Sequence, residues 1–558
     1  VSGAAPPLTV VGGGLGGLAA AIAAAEAGLA VTLVEKGERF GGAAAYSGGQ
    51  VWVGANHVAE REGIADDLDA TLAYVRGAAE RDAASLDEAL ARQWLGAAAE
   101  AAAWYERLGV VRWELVPGYP DYYHPDVAGS RAAGRYLTGA PFDGSALGAL
   151  RERLHVSPHF PVGVRYGEMF DWGGMSSKTA WDWPLVARRR EQDVLTFGTG
   201  IAAAFLHGAA QRGVRLLHGH AAVELLTDAE GAVTGLRCAT AGGETVELAG
   251  PVVLATGAHD WSPELTERFT GIAPEDGGSV TPPTLSGDAI ALVEPLGGVA
   301  AALPAWAAPV LPGYLLPAPA FDGDTGYRAC FEHCLPHTFL VNGAGERFCD
   351  DSFHSRIVAA ALAEDSDGRP ANLPVWMVWD SRHHRRYGLG ATMPGGDYPA
   401  GLVERAATLA ELAGRLGVDA DGLERTAAAF NAGAEHGDDP AFGRGSNLSV
   451  RRFRGDWSHR PNPCVGPVSE PPFFGMRIRL LNTGIAAAGV RAGAHGRVLR
   501  GDGSTIAGLW AAGECSTRAA AGVGYNSGYS LSRALAFGWL AARDASASAA
   551  AASAGLSR

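Results

Sequence analysis

The chain has 558 residues, 47% hydrophobic and 19% charged, which gives ample core and excludes a disordered chain. Its formal net charge is -15, so it repels phosphate backbones and argues against a nucleic-acid partner. Six cysteines are too few for a disulfide framework.

No apolar run reaches ~18 residues, so no transmembrane segment is expected. The stretch Val1 to Pro7 has no basic region leading into an apolar one. The expected location is cytoplasmic.

The first predicted strand is Leu8-Thr9-Val10-Val11. It runs into Gly12-Gly13-Gly14-Leu15-Gly16-Gly17 and an alanine-rich helix to about Ala27, which Gly28 ends as a left-handed cap. A second strand, Ala30 to Val34, leads to Glu35, completing a βαβ opening. Ser85 and Glu88 have capping-box spacing at the start of a core helix carrying Leu86, Leu90, Ala97, Ala101 and Leu108. Residues 223–249 alternate and turn twice, which predicts an antiparallel meander. A buried strand, Val252-Val253-Leu254, then ends in the tight turn Ala255-Thr256-Gly257.

Two proline clusters follow, Pro304 to Pro319 and Pro461 to Pro472. Prolines suit connections, so the clusters are expected to bracket an inserted unit. The fold class implied is α/β. A Rossmann-like domain with a parallel sheet and an antiparallel meander is formed by residues 1–298 and 473–545. An inserted α+β catalytic domain spans 299–472. The Ala- and Ser-rich segment 546–558 is expected to be a disordered tail.

The spacing Gly12-x-Gly14-x-x-Gly17 follows a strand and opens a helix. The first glycine permits the turn, the second lets a pyrophosphate approach the backbone, and the third lets the helix pack on the sheet. Glu35, with Lys36 beside it, ends the second strand where a carboxylate accepts ribose hydroxyls. This is a dinucleotide site. Three features favour FAD over NAD. Gly41-Gly42 leads into Ser47-Gly48-Gly49, small residues along which an extended cofactor can lie. Ala255-Thr256-Gly257 is a second close approach, with Ala222 of the meander nearby. Gly513-Glu514 follows a strand near the C-terminus, and Ser530-Leu531 begins a second helix there.

Together these features resemble the flavoproteins of the fumarate reductase superfamily, in which the acid matching Glu514 binds the ribityl chain. The resemblance sharpens to the FAD-dependent 3-ketosteroid dehydrogenases. It rests on Phe40 to Trp52, on Tyr119-Pro120-Asp121-Tyr122-Tyr123, on Gly345-Glu346-Arg347-Phe348 with Asp350-Asp351, and on Tyr525-Asn526-Ser527-Gly528-Tyr529-Ser530-Leu531. The last run looks most like the 4-dehydrogenase branch. Succinate dehydrogenase-type relatives carry a flavin-linking His where this chain has Gly42, so the resemblance implies non-covalent FAD.

The implied reaction removes two hydrogens from adjacent carbons of a small hydrophobic ketone, one as the proton alpha to the carbonyl and one as a hydride to the flavin. Electrons would pass on to a quinone, O2 or a redox protein. By resemblance, Tyr525 hydrogen-bonds the ketone, helped by a backbone N–H near Gly528 or Tyr529. Tyr122 matches a tyrosine of the aromatic loop that assists the base or lines the substrate. The family's base is a tyrosine matching Ser355 in the 1-dehydrogenase branch and Phe353 in the 4-dehydrogenase branch. Phe cannot take a proton and Ser needs a base of its own. His354 has the only side chain in that stretch with a pKa near 6.5. His354 or Tyr122 is therefore the expected acid/base.

Two alternatives remain. One is an enoate reductase running the reverse reaction, whose clamp His and Arg fall here near Ala520 and Gly524. The other is a flavin hydratase or isomerase with no net redox. Cys330, His333, Cys334 and His337 share one face on a helix, but Pro336 lies among them, and no metal is expected. His383-His384-Arg385-Arg386 is expected to be a solvated face.

Overall fold

A computed structural model describes residues 5–321 and 325–555. Its first sheet has six strands. In spatial order they are Arg497–Leu499, Thr505–Ala511, Val252–Leu254, Pro7–Val11, Ala30–Val34 and Arg215–Leu217. All neighbours are parallel except the first pair. The register aligns Val11 with Val34 and Leu254, and Leu254 with Ala511. The carboxyl ends of four strands therefore form one rim, and Gly12, Glu35, Ala255 and Ala512 all leave from it. In an open α/β sheet that rim is where a ligand sits.

The helix Leu15–Glu26 is buried from Leu15 to Ala24. Its small side chains let the C-terminal helix Tyr529–Gly555 cross it closely, with Gly538 against the Gly16 carbonyl. The segment expected to be a disordered tail is thus helical as far as Gly555, with residues 556–558 outside the described ones. The helix continues because alanine has the best helix propensity and its start is packed in the core. The meander forms as His220–Thr227, Val233–Thr240 and Thr245–Ala249.

The second large sheet is antiparallel. Its order is Tyr327–Ala329, Leu311–Leu315, Phe473–Leu481, Val375–Trp379 and Thr338–Val341, and Glu404–Ala406 also pairs with Phe473–Leu481. The expected boundary at 472/473 is displaced by this pairing. Phe473–Leu481 is a central strand of the inserted sheet, not a return to the first domain. The second proline cluster leads into it as an internal connection. Ala300–Ala302 pairs with Ala488–Val490 instead and ties the two crossings together.

The expected Ser85–Glu88 capping box is replaced. Asp87 caps the helix Glu88–Arg107 by accepting the Leu90 N–H at 3.0 Å. Ser85 is occupied elsewhere, accepting the Val523 N–H at 2.9 Å. All six cysteines are buried and free of disulfides. No described helix is long and apolar enough to cross a membrane.

Candidate active site

A groove of about 780 Å³ runs along the rim of the parallel sheet. Gly12, Gly14, Glu35, Lys36, Gly42, Ala222, Ala255, Thr256, Gly257, Gly513, Glu514, Ser530 and Leu531 all line it. The glycine requirement is explicit at Gly12. Its φ is +111°, and a Cβ there would collide with the Ala255 carbonyl. Gly17 does not line the groove; it lets the helix press on the turn, since a Cβ would strike the Gly12 carbonyl. Gly41 likewise supports from behind, donating its N–H to the Gly13 carbonyl at 2.7 Å.

Glu35 is held by two amides. Its Oε2 accepts the Gly13 N–H and its Oε1 the Gly37 N–H, both at 2.8 Å. Burial pushes its carboxyl up, and these amides pull against that shift. Lys36 lines the groove while its ammonium pairs with Asp288 at 2.8 Å. At the other end, Glu514 accepts the Ala486 N–H and an Arg533 N–H, each at 2.9 Å. The groove fits a dinucleotide on two further counts. The Thr256 hydroxyl is buried with no protein partner. A Cβ on Gly42 would reach within 3.2 Å of Gly14 Cα, so the passage between them is kept open by glycine alone.

A second cavity, about 1060 Å³, continues from the first and shares Ala43, Ala44, Gly484, Ser530 and Leu531 with it. Ser47, Gly48, Gly49, Tyr122 and Tyr525 line it. Gln50 also lines it, and its Nε2 is buried without a partner. The two tyrosine rings lie 5.9 Å apart.

Their placement follows from one residue. Asn526 is fully buried; its Oδ1 accepts the Tyr122 N–H at 2.9 Å and the Tyr74 hydroxyl at 2.6 Å, and its Nδ2 donates to the Tyr136 hydroxyl at 2.7 Å. Asn447 donates to the Tyr122 carbonyl at 2.6 Å. Both peptide groups of Tyr122 are therefore clamped. Its hydroxyl is acted on by the Ser527 and Tyr119 side chains. Burial raises the Tyr122 pKa, while the Arg454 charge and the Ser527 hydrogen bond pull it down. Burial likewise raises Tyr525. The Tyr529 N–H, one of the two expected backbone donors, is taken by the Asn526 carbonyl at 3.2 Å. Gly528 remains at the cavity wall.

His354 and Ser355 line a third cavity, on the far side of Tyr525, which faces both. The His354 ring still meets Tyr122 at 5.5 Å and Tyr525 at 5.7 Å. Burial, with the Arg454 charge added, drives His354 well below the usual histidine range, so it is neutral. Ser355 Oγ lies 3.4 Å from His354 Nε2 and hydrogen-bonds Tyr123.

The sequence alone did not single out Tyr166, His159 or Arg454, which also line the tyrosine cavity. His159 donates from Nε2 to the Val280 carbonyl at 2.8 Å, and burial lowers its pKa to about 4. His333 and His337 are engaged by backbone carbonyls at 2.7 and 2.8 Å. Among the described residues no group of three or more His, Cys, Asp or Glu is arranged to hold a metal. His383 departs from the expected solvated face. It is buried, with Nδ1 donating to the Pro336 carbonyl at 2.9 Å, because its helix packs that side inward.

A sequence profile described as "FAD binding domain" matches residues 8–531. The 4-oxocyclohexanecarboxylate 2-dehydrogenase of Sinomonas cyclohexanicum is 32% identical, over 96% of this chain and 92% of that protein. The crystal structure of 3-ketosteroid delta1-dehydrogenase from Sterolibacterium denitrificans, in complex with 1,4-androstadiene-3,17-dione, superposes with TM-score 0.86 at 27% identity. It covers 97% of this chain and 99% of its own. The 3-ketosteroid-delta4-(5alpha)-dehydrogenase from Rhodococcus jostii RHA1 superposes with TM-score 0.64 at 21% identity, covering 98% of each chain. The 525–531 run resembles the 4-dehydrogenase branch, yet the whole fold superposes better on the delta1 enzyme.

Proposed function

The chain belongs to the FAD-binding-domain family, within its ketosteroid dehydrogenase group, as an FAD-dependent oxidoreductase acting on CH–CH donors; from that premise we propose that it desaturates a cyclic ketone next to its carbonyl. The relatives' printed substrates, a steroid and an oxocyclohexanecarboxylate, share that cyclic ketone. The groove along the sheet rim would hold the FAD, with Glu35 available to its ribose hydroxyls and Glu514 to its ribityl chain. Gly42 has no side chain through which a flavin could be attached. When bound, FAD supplies the acceptor for the hydride leaving the carbon beta to the carbonyl.

The chain's own residues carry the rest. Tyr525 donates a hydrogen bond to the ketone oxygen as negative charge develops there; one such donor is worth ~3–4 kcal/mol of barrier. Tyr122, as its tyrosinate, takes the alpha proton and becomes the neutral phenol. His354, neutral and ring-packed against both tyrosines, orients them rather than acting as the base. The observation that carries this reading is one cavity, continuous with the nucleotide groove, walled by two tyrosines that Asn526 brings together.

The test is anaerobic mixing of the holoenzyme with cyclic ketones of increasing size. Loss of the oxidised flavin band with an enone as product is expected. A flavin that stays oxidised with every ketone, or a product formed without flavin reduction, refutes the proposal.

A further inference from the structure

The cavity between Tyr122 and Tyr525 holds one residue that a neutral ligand leaves unanswered. Arg454, the residue after the helix Leu448–Phe453, lines it and is only 8% exposed. Arg518, also buried without a carboxylate, lies off this cavity and donates to the Gly524 carbonyl at 2.6 Å; three other deeply buried arginines are matched by acids. Arg135 pairs with Asp66 at 2.8 Å, Arg444 with Asp351 at 2.5 Å and Arg533 with Glu514 at 2.9 Å. Arg454 pairs with no described carboxylate. The groups acting on it are the Cys334 thiol and the hydroxyls of Tyr122 and Tyr119. Its guanidinium also lies over the Phe331 ring, 4.9 Å from the centroid. A buried guanidinium facing an apolar cavity without an anion is costly, and the cost is recovered when the ligand brings the anion.

We propose that Arg454 binds a carboxylate on the substrate, so that the cyclic ketone taken by this site is a keto acid of one ring and not a steroid. The inference rests on the desaturase reading above. Guanidinium suits the role because its planar fork matches both carboxylate oxygens. The ring size follows the oxocyclohexanecarboxylate for which a 32% identical relative is named. Arg454 and the two tyrosines wall the same cavity, and its charge is felt at both Tyr122 and Tyr525. A single ring can carry a carboxylate for Arg454 and, across from it, a ketone for Tyr525. A neutral tetracyclic ketone brings no anion to Arg454. The carboxylate takes no part in the bond changes. One hydrogen leaves as a proton and one as a hydride, and the product is the corresponding enone acid.

The experiment uses the FAD-loaded protein and two arms. In the first, cyclohexanecarboxylate and its methyl ester, neither with a ketone to oxidise, are titrated against the oxidised flavin spectrum. The wild type is expected to bind the acid about 100-fold more tightly than the ester. Arg454→Met is expected to erase that preference and Arg454→Lys to restore part of it. Equal binding of acid and ester by the wild type overturns the proposal, as does a preference that survives in Arg454→Met.

In the second arm, flavin reduction by 4-oxocyclohexanecarboxylate, cyclohexanone and a 3-oxosteroid is compared. The keto acid is expected to have the highest kcat/KM, through a KM at least ~30-fold below that of cyclohexanone. A faster steroid refutes the substrate class. If no ketone reduces the flavin, the desaturase reading fails, while the binding arm still decides for or against Arg454.

Discussion

Replacing Tyr122 by Phe removes one hydroxyl and leaves the rest of the site standing. The ring keeps its edge contacts with Phe353, His354 and Tyr525 at 5.6, 5.5 and 5.9 Å. The peptide clamps from Asn526 and Asn447 do not involve the hydroxyl. What is lost is the hydroxyl's polar interaction with Ser527 and Tyr119, about 1–2 kcal/mol in all. Stability should therefore fall by ~1–2 kcal/mol, with flavin content unchanged. Loss of a general base costs ~10²–10⁴ in rate, or ~3–5 kcal/mol of barrier. The kinetic loss thus exceeds anything the fold can explain.

Stopped-flow flavin reduction under anaerobic conditions reads it directly. The pH dependence adds a sign. Burial raises the Tyr122 pKa above its ordinary value, and a base must be deprotonated to act, so the wild-type rate should climb with pH across the accessible range. Tyr122→Phe should flatten that climb. A variant that reduces its flavin within ~5-fold of the wild type, with the same pH profile, refutes Tyr122 as the proton acceptor.

Gly12→Ala should yield protein with little flavin, read as the ratio of visible to ultraviolet absorbance, since φ of +111° and the Ala255 carbonyl leave no room for a methyl group; a fully yellow variant contradicts the groove assignment. Asp351, paired with Arg347 and Arg444, has its pKa lowered to about 2 from 3.8. Its stabilisation of ~2.5 kcal/mol is complete above about pH 4 and is lost as pH falls through 2. Asp351→Asn should cost ~3–5 kcal/mol at neutral pH by leaving the buried Arg444 without a carboxylate, while Arg347 keeps Asp439, measured by denaturant unfolding. Asp260 runs the other way. Burial raises it to about 6, so its ionisation disfavours the fold, and the penalty grows as pH rises from about 4 through 6. The stability of Asp260→Asn relative to wild type should improve by up to ~3 kcal/mol over that interval and then level off; a flat difference refutes the assignment.

Much of the nucleotide half was legible because its constraints are local. A strand, a glycine run, a helix and an acid occur in one short stretch, and each fixes the backbone on its own. The inserted unit was harder. Prolines mark breaks in hydrogen bonding, not domain edges, so Phe473–Leu481 looked like a return to the first sheet while its partners at Leu311 and Val375 were distant in sequence. The tail misled because composition reports polarity and not neighbours. Arg454 was hidden for the same reason. It ends the run Arg451-Arg452-Phe453-Arg454, where no motif marks it, and only the fold turns this last arginine inward.

The missing base tyrosine is also explained by the frame and not by the stretch where it was sought. Phe353, His354 and Ser355 sit behind the cavity wall, so substitution there does not by itself empty the wall. The wall is built by the loop 119–123 and the run 525–531, and a single buried amide, Asn526, joins them: it bonds the Tyr122 peptide directly and is the next residue after Tyr525. The relative position of donor and acceptor is thus set by a covalent neighbour on one side and a 2.9 Å hydrogen bond on the other. His354 packs behind both rings as a neutral spacer, which its depressed pKa permits and a charged imidazole would not. Asn526→Ala should therefore injure catalysis more than removal of His354's ionisable group does, because it frees the Tyr122 backbone while leaving every reacting side chain in place. If His354→Phe proves the more damaging of the two in flavin-reduction rate, at equal flavin content, the base belongs to His354 and the frame has been given the wrong occupant.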